Sequence, residues 1–132
     1  MADLSNPKVQ RILASTALAH LATVDEHGAP QSSPMWFLWD ATRERILFTH
    51  TTHRKKYRNI RRDPRVAVSI KDVVEPYVHA EFRGVVDVVD PDPDGAFFDH
   101  LAERYGADIR WEGDSRVVLG VRVDKVVGQA LG

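Results

Sequence analysis

Apolar positions along this chain alternate mostly with period two, and only three short stretches switch to helical spacing. Val9, Ile12 and Leu13 form the first helical stripe, behind Ser5 or Asn6 as cap and Pro7 at its start. Residues 18–24 alternate as a strand, Asp25-Glu-His-Gly28 reads as a hairpin turn, and a second strand is expected over 30–39. Pro34 within that strand places its middle at an edge or a bulge. After a turn at 40–44, residues 45–49 form an apolar strand. A hydroxyl-rich turn with Thr49, Thr51 and Thr52 as capping candidates follows, and then a helix over 54–62 that stops before Asp63-Pro64.

Val66, Val68 and Ile70 mark a half-buried strand, and 77–89 a longer one. Asp90-Pro-Asp-Pro-Asp-Gly95 predicts a turn and a helix start with an aspartate cap. Phe97, Phe98, Leu101 and Tyr105 then recur at helical spacing up to Gly106. Trp111 is expected in a loop, and 116–124 is the last strand. About six strands in hairpin order with short helices predict a mainly β, six-stranded antiparallel barrel in one domain spanning 1–132.

Composition narrows the chemistry. The chain has 132 residues, 43% of them hydrophobic, and a net charge of -1, which argues against a general nucleic-acid or anionic-membrane binder. It has no cysteine, so disulfides, thiol catalysis and thiolate metal sites are excluded. The N-terminal residues lack the pattern of a signal peptide and no apolar run is long enough for a bilayer, so a cytoplasmic protein is expected. Glycine-rich phosphate loops, a nucleophile elbow and a His-Glu-x-x-His motif are all missing. His50 and His53 stand three apart without a nearby third ligand, which reads as loop histidines or helpers of an anion site rather than a metal pair.

One local rule is broken. The first turn of a helix has free N–H groups and the positive end of the dipole, yet Arg54, Lys55 and Lys56 stand there. Three cations at that end point to a phosphate or carboxylate site. Arg58, Arg61 and Arg62 lie toward the favourable end and read as a solvated face, with Tyr57 and Ile60 on the buried side.

The run Ile46-Leu-Phe-Thr-His-Thr-Thr-His-Arg-Lys-Lys-Tyr-Arg-Asn-Ile-Arg-Arg-Asp-Pro-Arg-Val-Ala-Val68 resembles the split-barrel flavin and deazaflavin reductases, a superfamily that includes the pyridoxamine-phosphate-oxidase-like proteins. The likeness continues in 21–34, in Glu81-Phe-Arg-Gly84 and in 116–127. Arg54-x-Lys56-x-x-Asn59 followed by Arg-Arg-Asp-Pro-Arg65 is most similar to the branch that uses the deazaflavin coenzyme F420. The flavin-using oxidases have an Arg-Lys pair at Arg54 and Lys55, so Lys55 is the residue on which the two branches divide.

The resemblance implies that Arg54, Lys56 and Asn59 hold the phosphate and tail of the coenzyme, that Thr49, His50 and Thr51 line the approach, and that Gln31, Ser33, Pro34 and Met35 lie against the ring. It further implies a homodimer with the coenzyme where the subunits meet, and places Arg116 where a partner-subunit arginine reaches it. Trp36 and Trp111 are candidates for the substrate wall, with packing or dimer contact as the other reading. Such chemistry needs no catalytic side chain and no metal, since the ring carries the hydride.

The expected activity is therefore F420-dependent hydride transfer to a small unsaturated or conjugated organic substrate. An FMN-dependent oxidase or reductase of the same fold is the alternative, followed by a non-catalytic cofactor or tetrapyrrole binder. A nucleic-acid binder using 54–65 ranks last, because Tyr57 is the one interleaved aromatic there.

Overall fold

A computed structural model describes residues 3–132 of the chain. Helix α1 (Pro7–Leu13) starts on Asn6, whose side chain accepts from the backbone N–H of Lys8 at 2.8 Å and Val9 at 3.2 Å. It buries Val9, Ile12 and Leu13, the three stripe positions. Strands β1 (Ala19–Val24) and β2 (Pro30–Met35) form the expected hairpin. In its turn Gly28 adopts φ 78°, and the Asp25 carboxylate accepts from the N–H groups of His27 and Ala29, both at 2.9 Å.

The expected second strand, 30–39, is in fact two. β2 ends at Met35, and β3 (Leu38–Asp40) pairs with β4 (Arg45–Thr51) at the far end of the sheet. The break falls at Trp36 and Phe37. Phe37 is fully buried, and its N–H donates 3.1 Å to the Tyr105 hydroxyl, which itself donates 2.8 Å to the carbonyl of Ala17. Backbone held by that phenol cannot continue in the β1–β2 ladder. The strand count is accordingly seven rather than six.

The remaining elements are α2 (Lys55–Arg62), β5 (Arg65–Lys71), β6 (His79–Pro91), α3 (Ala96–Arg104) and β7 (Arg116–Gln129). All seven strands lie in one antiparallel sheet of order β2-β1-β5-β6-β7-β4-β3, which is not closed by hydrogen bonds. Pro34 sits on edge strand β2, where its missing N–H faces no neighbouring strand. The inner face carries the core, including Leu21, Phe37, Ile46, Phe48, Val68, Ile70, Phe82 and Leu119.

β6 and β7 make the longest ladder, from His79↔Gln129 to Pro91↔Val117, and this continuous pairing carries β7 past the expected end at 124. Bulges at Arg83/Gly84 and Val86/Val88 interrupt it. Gly84 lies so close to β7 that a Cβ there would stand 1.8 Å from the carbonyl oxygen of Arg122. Ahead of α3, Gly95 is the left-handed cap residue, and the buried Asp92 carboxylate accepts from the N–H groups of Phe97 and Phe98, each at 3.2 Å. The cap position is therefore a glycine and not the expected aspartate, although Asp92 of the 90–95 turn meets the first N–H groups of the helix.

β4 runs to Thr51, so Thr49 and Thr51 belong to its ladder with β7 and do not cap α2. The residue before α2 is Arg54, in extended conformation and with no side-chain cap bond. Pairing with β7 satisfies the backbone of 49–51 and buries its β-branched side chains, which outweighs the local capping preference.

Candidate functional site

The curled sheet brings the inner faces of β2 and β4 to opposite sides of a cleft of about 310 Å³, roofed by the start of α2. Its walls are Gln31, Ser32 and Ser33 from β2, His50 from β4, and Arg54, Lys55 and Lys56. Period-two alternation puts His50 on the core side of β4 with Ile46 and Phe48.

Lys56 bends across the cleft. Its Nζ donates to Ser33 Oγ and lies 3.4 Å from Met35 Sδ. Burial, and then the charge of Arg54, hold the Lys56 ammonium below its ordinary range. One turn on, the fully buried Asn59 amide donates 2.9 Å to Gln31 Oε1 and 3.4 Å to Thr23 Oγ1. α2 is thus stitched to the strands of the β1–β2 hairpin by polar bridges from Lys56 and Asn59.

Lys55 points elsewhere. Its Nζ lies 3.7 Å from Glu26 and 4.0 Å from Asp25, and Arg62 reaches the same Glu26 at 3.3 Å. The hairpin carboxylates thereby offset the charge of Lys55. Sequence reasoning took Asp25 and Glu26 as turn residues; with α2 over the hairpin they also set the charge of the cleft rim.

His50 forms the floor and is 8% exposed, with no hydrogen-bond partner for Nε2. Burial, followed by the charges of Lys56, Arg54, Arg116 and His53, pushes its imidazole down to about 4 from an ordinary 6.5. The ring is neutral at physiological pH.

The other candidates fall on the reverse side of β4. Thr51 is the cross-strand partner of Arg116, so their side chains, with that of Thr49, lie opposite His50. Arg116 donates 3.3 Å to Thr49 Oγ1, pairs with Asp114 at 3.2 Å, and lies 4.1 Å over the Phe98 ring. Trp36 stacks on Tyr105 at 5.5 Å and meets Phe98 at 6.2 Å, while Trp111 packs on Gly95 and donates to the carbonyl of Asp114. Arg116, Trp36 and Trp111 thus gather around α3, and Gln31, Ser33, Met35, His50, Arg54, Lys56 and Asn59 around the cleft. Pro34 faces out from β2 and is exposed.

A larger hollow, about 730 Å³, runs over the outer face of β1, β5, β6 and β7, floored by Ala22, Ala67 and Gly84. Two of its cations already have partners, Arg65 with Asp63 and Arg83 with Glu81. The smaller cleft is the better site for an anion, because its donors converge and a buried polar atom there is unmet.

The donors also suit a phosphate-bearing coenzyme. Arg54 and Lys56 supply charge and Gln31 and Ser33 supply neutral polar groups, while the buried Asn59 holds Gln31 in place from behind.

The family model for pyridoxamine 5'-phosphate oxidase matches residues 5–129. The solved structure of an F420 reductase is 43% identical, covers 88% of this chain and 93% of its own, and superposes with a TM-score of 0.83. Rv2991 from Mycobacterium tuberculosis shares the fold at 21% identity and a TM-score of 0.73, covering 97% of this chain and 84% of its own. General stress protein 26 from Bacillus anthracis does so at 19% and 0.71, covering 96% and 94%. No curated protein matches the chain. A split-barrel sheet, a cleft of converging hydrogen-bond donors and a family match over nearly the whole length lead to one assignment: the chain belongs to the pyridoxamine 5'-phosphate oxidase family of oxidoreductases.

Proposed function

We propose that this protein is an F420-dependent oxidoreductase that moves a hydride between reduced deazaflavin and a small unsaturated or conjugated organic substrate. The observation that carries the reading is the division of the two lysines, Lys56 into the cleft and Lys55 onto Asp25 and Glu26. This leaves Arg54 and Lys56 as the cleft cations with no carboxylate partner among the described residues. The 43% identity with an F420 reductase supports the same branch.

In this reading Arg54 and Lys56 hold the coenzyme phosphate, and Ser33 and Asn59 keep β2 fixed against α2 so that the ring-binding edge does not drift. Bound deazaflavin supplies the hydride; the protein supplies placement and a dry, positively charged surface. A cleft of about 310 Å³ suits the phosphate-bearing part of such a coenzyme. A homodimer, with the coenzyme bound where the two copies meet, is part of the proposal.

The test is a competition titration followed by tryptophan fluorescence. Saturable quenching by F420 at concentrations where FMN does not displace it is the expected outcome. Tighter binding of FMN would assign the protein to the flavin-using branch instead. Turnover is then sought by following F420 absorbance against a panel of conjugated acceptors. Binding with no turnover against any of them would favour a cofactor-carrying role.

A further inference from the structure

Three buried side-chain polar atoms lack a partner among the described residues: His50 Nε2, Thr51 Oγ1 and Arg104 Nε. Of these residues, only His50 lines the cleft. Its surroundings are one-signed. Arg54 and Lys56 face it from the start of α2, His53 from the turn before, and Arg116 acts through the sheet from β7. From β2 it meets Gln31 and Ser33, which carry no charge.

In that field a protonated ring is unfavourable, and the free protein keeps His50 neutral. A bound anion reverses the field. Its charge offsets Arg54 and Lys56, the cations that share the cleft lining with His50. A charged imidazole donates from both nitrogens, so it meets an oxyanion better than a neutral ring.

We propose that the cleft takes up a phosphate-ester anion together with one proton, and that His50 holds that proton. Solvent gives the proton as the anion enters, and it leaves when the anion leaves; no covalent bond changes. The proposal rests on the reading of the cleft as a phosphate site and adds the protonation state in which that site is filled. Its consequence is pH-dependent affinity. Because the loaded form binds more protons than the free form once pH nears the raised midpoint, the anion is held more tightly as pH falls through the window between the loaded and the free midpoints.

The test is a proton NMR titration of the imidazole signals between about pH 4 and about pH 8. It is run on the free protein, with F420, and with sulfate, whose charge is constant over that range. His50→Gln identifies which of the six histidine signals belongs to His50. The expected result is a His50 midpoint raised by about one pH unit or more with either anion. F420 affinity, read by tryptophan quenching, should tighten several-fold on acidification in the native protein and stay flat in His50→Gln.

A His50 midpoint that does not move while F420 quenches saturably would overturn the proposal. So would a pH-dependent affinity that persists unchanged in His50→Gln. A rise with F420 alone supports it. A rise with sulfate and no F420 binding supports the proton-linked anion site and rejects the coenzyme reading. No rise and no binding with either anion rejects both. Should His50→Gln fail to fold, Lys56→Gln gives the second measurement. With one facing cation gone, His50 of the free protein should titrate higher, and an unchanged midpoint would overturn the electrostatic basis of the proposal.

Discussion

Lys55 and Lys56 are consecutive in sequence and opposed in surroundings: Lys56 Nζ lies on Ser33 and Met35 in the cleft, Lys55 Nζ beside Glu26 and Asp25 on the rim. Lys56→Ala should weaken F420 binding by about 1.5–3 kcal/mol through loss of a charge-assisted contact. Lys55→Ala removes a solvent-exposed ion pair and should change it by less than about 1 kcal/mol. Fluorescence titrations of both variants test this, and equal losses would count against the division.

Asn59 should matter for stability before it matters for binding. It is fully buried and bridges Gln31 and Thr23. Asn59→Ala leaves those acceptors without their donor and should lower unfolding free energy by about 1–3 kcal/mol. Urea denaturation measures it.

Gly84→Ala should be more damaging than its size suggests. The added carbon would stand 1.8 Å from the backbone oxygen of Arg122, so β6 and β7 must part at the bulge. A loss of about 3 kcal/mol is expected from such overpacking, read as an earlier urea midpoint. An unaltered midpoint would mean that the ladder relaxes freely there.

The buried His50 predicts acid sensitivity. Its folded value, about 4, lies below its ordinary 6.5, so between these limits the unfolded chain binds more protons than the folded one. Its contribution is therefore fully present above about 6.5 and lost as pH falls toward 4. Urea unfolding at both ends of that window, for the native protein and His50→Gln, should show the variant losing less stability on acidification.

What was legible in the sequence was local. Asn6 and Pro7 start α1, Gly28 turns the hairpin, and Pro64 stops α2, because each acts on residues next to it. The break at Trp36 and Phe37 was not, since it depends on the Tyr105 hydroxyl, 68 residues away along the chain. The extent of β4 depends on β7 in the same way, and overrode a plausible threonine cap. At the site, the cations at the start of α2 were visible as misplaced charge. Their separate destinations were not, because Ser33 and Glu26 reach them only once α2 lies over the hairpin.

The two residues that leave β2 and enter β3, Trp36 and Phe37, join the two outermost strands of the sheet. No ladder of backbone bonds crosses the seam between those margins; on its β2 side the strand is held by the chain itself and by Lys56 and Asn59 of α2. It works as a clasp. Loosening those few side-chain contacts would part α2 from β2 while every strand keeps its neighbours, so such an opening need not be a step toward unfolding.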